Sequence, residues 1–130
     1  MIGYRDPEHE WGGKFAARFD TVLNWIPARM GGFFVVVGAA MAGANARNAL
    51  RVMLSQRRRT QSANAGWTMA AMAGALEASL EKRGNYVLDG GAATLDAAAI
   101  GRGLRVLRCA IALVIAFFLA ACGGLCALRA

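Results

Sequence analysis

Residues 109–128 read CAIALVIAFFLAACGGLCAL, and the fold turns on that run. It holds twenty residues without a charge. As a helix rising about 1.5 Å per residue it is about 30 Å long, the thickness of a bilayer's hydrocarbon core. A second uncharged run, MGGFFVVVGAAMAGANA over Met30–Ala46, is 17 residues long. That is the short end of the spanning range, where the core helix of a soluble protein is the alternative. Composition agrees with a membrane reading: 57% of residues are hydrophobic and 18% charged, against about a quarter charged in soluble domains. Met1–Glu10 is polar and acidic and is not patterned as a secretory signal.

The net charge of +7 is unevenly spread. Residues 1–29 hold four basic and four acidic side chains, whereas residues 47–108 hold ten against four. Nucleic acid is one reading of such an excess, but Arg57, Arg58 and Arg59 have no interleaved aromatics and adjoin an apolar run. The positive-inside rule accounts for them better and predicts that residues 47–107 face the cytoplasm. The three cysteines, Cys109, Cys122 and Cys126, all fall in the last apolar run, and His9 is the only histidine. That inventory supports no zinc site, and no disulfide, haem or iron–sulfur centre is expected.

Upstream of the first apolar run stands ARFDTVLNWIPAR, Ala17–Arg29. Phe15, Phe19, Val22 and Ile26 recur at helical spacing, with Asp20, Thr21 and Asn24 on the other side. Pro27 clashes inside a helix but suits the first turn of a new one, so a break is predicted near Trp25–Pro27. The second helix is then expected to run through the apolar stretch to about Arg57. Asn64 is a candidate N-cap for a further helix reaching Lys82, in which Gly66, Ala70, Gly74 and Ala78 form a seam of small residues. Gly84 would end that helix, and YVLDGG reads as a short extended or turn segment. The last helix should start near Asp96 and run on into residues 109–128. The fold class expected is all-α. It is a single domain over 1–130, with membrane-embedded helices at about 28–46 and 108–128 and a cytoplasmic helical segment at about 47–107 between them.

Two places offer chemistry. Asp20 and Asn24, four apart on one helix face, suit a hydrated Mg²⁺ or a substrate hydroxyl or amide, or else simply face water and head groups. The start of the helix at Asn64 presents the amides of Ala65, Gly66 and Trp67 beside Arg57–Arg59, a candidate phosphate cradle.

Six blocks raise the value of these residues: MIGYR (Met1–Arg5), AARFD (Ala16–Asp20), LNWIPAR (Leu23–Arg29), NAGW (Asn64–Trp67), AAMAGAL (Ala70–Leu76) and LEKRGNYVL (Leu80–Leu88). In this order they resemble the C-terminal portion of the membrane-bound adenosylcobinamide-phosphate synthase family of cobalamin biosynthesis, over about residues 1–107. The resemblance implies an ATP-dependent amide ligation in the cell inner membrane. Aminopropanol, or its phosphate, is joined to a carboxyl of the corrinoid substrate adenosylcobyric acid, with ATP and Mg²⁺ as cofactors. It implies catalytic roles for Asp20, Asn24 and Arg29, with Asp20 a Mg²⁺ ligand. Substrate or phosphate contacts are implied for Tyr4, Arg5, Arg18, Ser62, Asn64 and Gly66.

Two positions depart from the family pattern: Thr21 stands where a second acid is usual, and Ala63 where proline is. Family members are more than twice this length. A missing N-terminal half or other cobamide-assembly enzymes are therefore the expected partners, besides membrane lipid, and the chain is expected to be inactive alone. The alternative is a non-catalytic membrane scaffold. One conflict stands: if residues 30–46 cross the membrane fully, Asp20 and Asn64 end on opposite sides. A re-entrant segment bent at its glycines would reunite them.

Overall fold

The computed structural model describes the backbone of residues 10–127 and the side chains of residues 14–124. Five helices account for most of it: α1 (Glu10–Leu23), α2 (Trp25–Met41), α3 (Ala46–Gln56), α4 (Ala65–Leu76) and α5 (Ala97–Ala127). Between α4 and α5 lies an antiparallel hairpin of β1 (Ser79–Lys82) and β2 (Tyr86–Asp89). The all-α expectation is corrected to this extent. The hairpin forms because Gly84, at φ +73°, supplies the left-handed residue of its turn. Leu80 pairs with Leu88, and Leu88 is buried against Val52, Ala70 and Ala73.

The break near Pro27 is present. α1 ends at Leu23, Asn24 forms the joint, and the two helices meet at 47°. Pro27 lies in the first turn of α2, where no helical bond needs its missing N–H. The single helix expected from Pro27 to Arg57 is not what forms. α2 stops at Met41, and Gly43 at φ +69° closes its end, with the Ala44 N–H donating to the Ala39 carbonyl at 2.8 Å. Asn45 then caps α3, its Oδ1 accepting from the Asn48 N–H at 2.9 Å. So α2 and α3 form a helical hairpin, and the chain returns toward the end at which α2 began.

α2 is the centre of the bundle, packing on α3, α4 and α5. Its Val35, Val36 and Ala39 meet Ala49 and Met53 of α3, Ala71 and Ala75 of α4, and Val106 and Ala110 of α5. The small-residue seam forms through Gly66, Ala70 and Gly74, all buried on α4, whereas Ala78 is buried but lies past the end of that helix. A methyl group on Gly74 would lie 2.6 Å from the Asn48 carbonyl oxygen and 2.7 Å from Ala49 Cα, so α3 and α4 touch backbone to backbone. α4 does not reach Lys82. It ends at Leu76, followed by Glu77 in the left-handed conformation at φ 54°.

Gly74→Ala is accordingly expected to lower stability by about 1–3 kcal/mol, the usual cost of overpacking. Gly101→Ala on α5, where nothing lies within 4 Å, should be neutral or slightly stabilising. Thermal unfolding of both variants in detergent checks the pair, and equal midpoints would contradict the packing.

α5 starts where Asp96 predicts, its Oδ1 accepting from the Ala99 N–H at 2.7 Å. It runs for 31 residues and is the one helix, among the described residues, long and apolar enough by itself to cross a membrane. Only its first half packs on the bundle. From Ile111 onward most of its large apolar side chains are exposed, although Phe117 meets Phe34 with ring centres 5.9 Å apart. The apolar stripe of α1 (Phe15, Phe19, Val22) is likewise exposed.

Candidate functional site

The return of α3 delivers residues 57–64 to the joint between α1 and α2. The sequence fixes this loop locally. Thr60 is buried and its Oγ1 donates to the Ser62 carbonyl at 2.8 Å. Ser62 Oγ accepts from the amides of Asn64 and Ala65, each at 3.4 Å. It therefore does the capping expected of Asn64, whose side chain makes no cap bond. The Asn64 Nδ2 instead donates 2.9 Å to the Thr21 carbonyl on α1. Gly66 has a steric role: any Cβ there would collide with the Arg57 carbonyl, so only glycine lets α4 begin so close to the end of α3.

Beside this loop is a cleft of about 550 Å³ lined by Arg29, Arg57, Arg58, Thr60, Gln61, Ala63 and Trp67. Two guanidinium groups flank the Trp67 ring: Arg57 Cζ lies 4.6 Å from its centre and Arg29 Cζ 4.8 Å. Arg29 also stacks over Trp25 at 3.6 Å and donates from Nη1 to the Trp25 carbonyl at 2.6 Å. Each such contact is worth about 0.5–2 kcal/mol and holds the guanidinium plane in one orientation. Among the described residues no carboxylate lines the cleft. Three positive charges in one concavity make it a place for an anion, most suitably one bearing several phosphate oxygens.

Next to it stand the predicted polar residues of α1. Asn24 Nδ2 donates to Asp20 Oδ1 at 2.8 Å and to the Asp20 carbonyl at 3.1 Å. Asp20 immediately precedes Thr21, the residue that Asn64 holds. The anticipated conflict is thus resolved by the α2–α3 hairpin: Asp20, Asn24, Arg29, Ser62, Asn64 and Gly66 lie at one end of the bundle. Arg18 is exposed on α1 and does not line the cleft. Tyr4 and Arg5 lie outside the described residues. Arg57 and Arg58 stand beside the Asn64 turn as expected, and what spacing does not show is the pair of tryptophan rings against which Arg29 and Arg57 lie.

Among the described residues one buried side-chain polar atom has no hydrogen-bond partner. Asn64 Oδ1 is buried and accepts no hydrogen bond, a state that costs about 1–3 kcal/mol unless a donor or cation arrives. Among the described residues there is no group of three His, Cys, Asp or Glu side chains able to hold a metal. A cation here would therefore be held by few protein oxygens.

Comparison with known proteins bears on the same residues. The profile of a family described as CobD/Cbib protein matches residues 1–113. The probable cobalamin biosynthesis protein CobD of Methanothermobacter thermautotrophicus is 50% identical over 88 residues, covering 68% of this chain and 30% of that protein. The cobalamin biosynthesis protein CobD of Dehalococcoides mccartyi is 50% identical over 88 residues, covering 68% of this chain and 28% of its own length. That of Aeropyrum pernix, also a probable CobD, is 42% identical over 91 residues, covering 70% and 28%. The chain thus spans about 30% of the length of these relatives. No solved structure matches. With the family profile matching residues 1–113, this chain belongs to the CobD/Cbib family of cobalamin biosynthesis.

Proposed function

We propose that this chain carries the phosphate-binding part of a membrane-bound adenosylcobinamide-phosphate synthase, which uses ATP to join aminopropanol or its phosphate to a corrinoid carboxyl. The observation that carries the reading is the unpartnered, buried Asn64 Oδ1 beside a cleft lined by three arginines. Activating a carboxylate with ATP gathers negative charge on a phosphoryl group, which fixed guanidinium groups stabilise. Arg57 and Arg58 bind the nucleotide's phosphates, and Arg29, held against Trp25 and Trp67, orients the group under attack. Asp20 and Asn64 are the oxygen donors for Mg²⁺. Two protein ligands suit an ion that keeps several waters and shares phosphate oxygens, so the residues present fit the group. When bound, Mg²⁺ neutralises charge on those oxygens. Asn24 holds Asp20 in place.

In this reading the chain is one unit, the C-terminal part of a longer protein in the cell inner membrane. α5 crosses the bilayer, and α1–α2 forms a bent, re-entrant segment, consistent with its 47° joint. An N-terminal half, or other cobamide-assembly enzymes, completes the site.

The test is complementation. The chain restored to the length of its relatives should rescue cobalamin synthesis in a strain lacking the synthase, and the 130-residue chain alone should not. In the purified full-length protein, Arg57→Gln with Arg58→Gln should raise KM for ATP by roughly 10- to 100-fold, the loss of one or two charge-assisted bonds. A full-length protein that is folded, resides in the membrane and forms no amide would leave the scaffold reading standing instead.

A further inference from the structure

A second cleft, of about 610 Å³, opens at the opposite end of the bundle from the arginine–tryptophan site. Its lining includes Asn45, Arg47, Asn48 and Arg51 from the start of α3, Glu77 from the end of α4, and the backbone of residues 90–93. The walls are fixed. Asn48 Nδ2 donates to the carbonyls of Gly74 and Gly90, both at 2.8 Å, and Asn48 Oδ1 accepts from Arg51 Nη2 at 2.7 Å. Asn45 Nδ2 donates to Glu77 Oε1 at 2.8 Å. Glu77 holds a left-handed conformation that glycine would adopt without strain, so the carboxylate stands where the backbone disfavours a side chain. Arg47, one turn before Arg51 on the same face of α3, makes no hydrogen bond or ion pair among the described residues.

Three charges of mixed sign therefore share a cleft, and among the described residues neither arginine pairs with Glu77. The ligand that satisfies them carries a phosphate for the two guanidinium groups and an ammonium for the carboxylate. The position of the cleft names its source. Leu76, the neighbour of Glu77, packs on Gly103 of α5, with its Cδ1 3.6 Å from where a Cβ would stand. Gly103 precedes the uncharged run of α5 by six residues, about 9 Å of helix. The head-group layer reaches about 5–8 Å beyond the hydrocarbon core, within an arginine side chain's length of that level. We propose that this cleft binds the head group of an aminophospholipid, its phosphate on Arg47 and Arg51 and its ammonium on Glu77.

The inference rests on α5 crossing the membrane, and the experiment separates the two claims. The chain is reconstituted into phosphatidylcholine nanodiscs containing either phosphatidylethanolamine or phosphatidylglycerol, and lipid retained per chain is read by native mass spectrometry after detergent extraction. Preferential retention of phosphatidylethanolamine is expected. Arg47→Gln should weaken retention of both test lipids about tenfold or more, a charge-assisted bond's worth, and should not disturb folding, since Arg47 bonds to nothing described. Glu77→Gln keeps an acceptor for Asn45, so it should abolish the preference for phosphatidylethanolamine while leaving or improving phosphatidylglycerol retention. A chain that enters the discs but shows no preference, or whose preference survives Glu77→Gln, overturns the head-group site. A chain that does not enter the discs overturns the membrane-spanning reading and the site with it. Binding of free O-phosphoethanolamine in detergent without any lipid preference overturns the lipid as the source.

Discussion

The full-length protein carrying Asp20→Asn is expected to lose two to four orders of magnitude in kcat/KM while keeping its fold and its place in the membrane. Asparagine preserves the shape and the bond from Asn24 Nδ2 to the side-chain oxygen. It removes the negative charge that a Mg²⁺ ion or an incoming ammonium group requires, a loss of several kcal/mol for a direct ligand. Arg29→Lys should also fall by about 10- to 100-fold. Lysine keeps the charge but not the planar group that lies 3.6 Å over Trp25 and 4.8 Å from Trp67. Steady-state kinetics beside Glu81→Gln, an exposed change on β1, checks both. Wild-type rates in Asp20→Asn and Arg29→Lys together would make Ala17–Arg29 architecture and move the site elsewhere.

The second large effect concerns α5. Ile111, Ile115, Phe117, Phe118 and Leu119 are 49%, 54%, 47%, 58% and 69% exposed. Covering what remains of five such side chains yields roughly 5 kcal/mol at 1.5–3 kcal/mol for a whole one, or between three and four orders of magnitude in partitioning. The expressed chain should sediment with membranes and resist carbonate extraction. Ile115→Lys with Phe118→Lys costs about 2.5–3.5 kcal/mol at each position in the bilayer centre, enough to cancel that gain. The double variant should appear in the soluble or degraded fraction. Recovery of the unaltered chain as a soluble, folded monomer would defeat the membrane reading.

α5 was legible because its signals are local and strong: an aspartate cap, then an uncharged run. The end of α2 was misread for a definable reason. No charge interrupts Met30–Ala46, and the stop is a backbone event, Gly43 at positive φ followed by an asparagine cap. Both residues were visible, and apolar continuity outweighed them. The end of α4 gave no such cue, since Glu77 adopts a conformation usually left to glycine. The hairpin that follows has strands of four residues, too short for alternation to stand out within SLEKRGNYVLD. At the site, residue types and loop were read from spacing and resemblance, whereas the partnerships were not. Asn64 resembles a cap because caps are neighbours in sequence. Its bond to Thr21 spans 43 positions, a distance set only when α2 and α3 fold back on one another.

The alanine- and glycine-built interior has a consequence for how firmly the arginine cleft is held. Ala39, Ala49, Ala70, Ala71 and Ala73 are wholly buried, and Gly32, Gly38 and Gly74 stand at helix contacts. None of these side chains has a rotamer to lose on folding. The helix ends beside Arg29, Arg57 and Trp67 are thus seated on surfaces with almost no alternative side-chain arrangements, so the spacing of the backbone positions from which the two arginines reach the Trp67 ring is set by helix packing. Such a frame loses little conformational entropy when a multiply charged ligand arrives, because it was ordered before the ligand came.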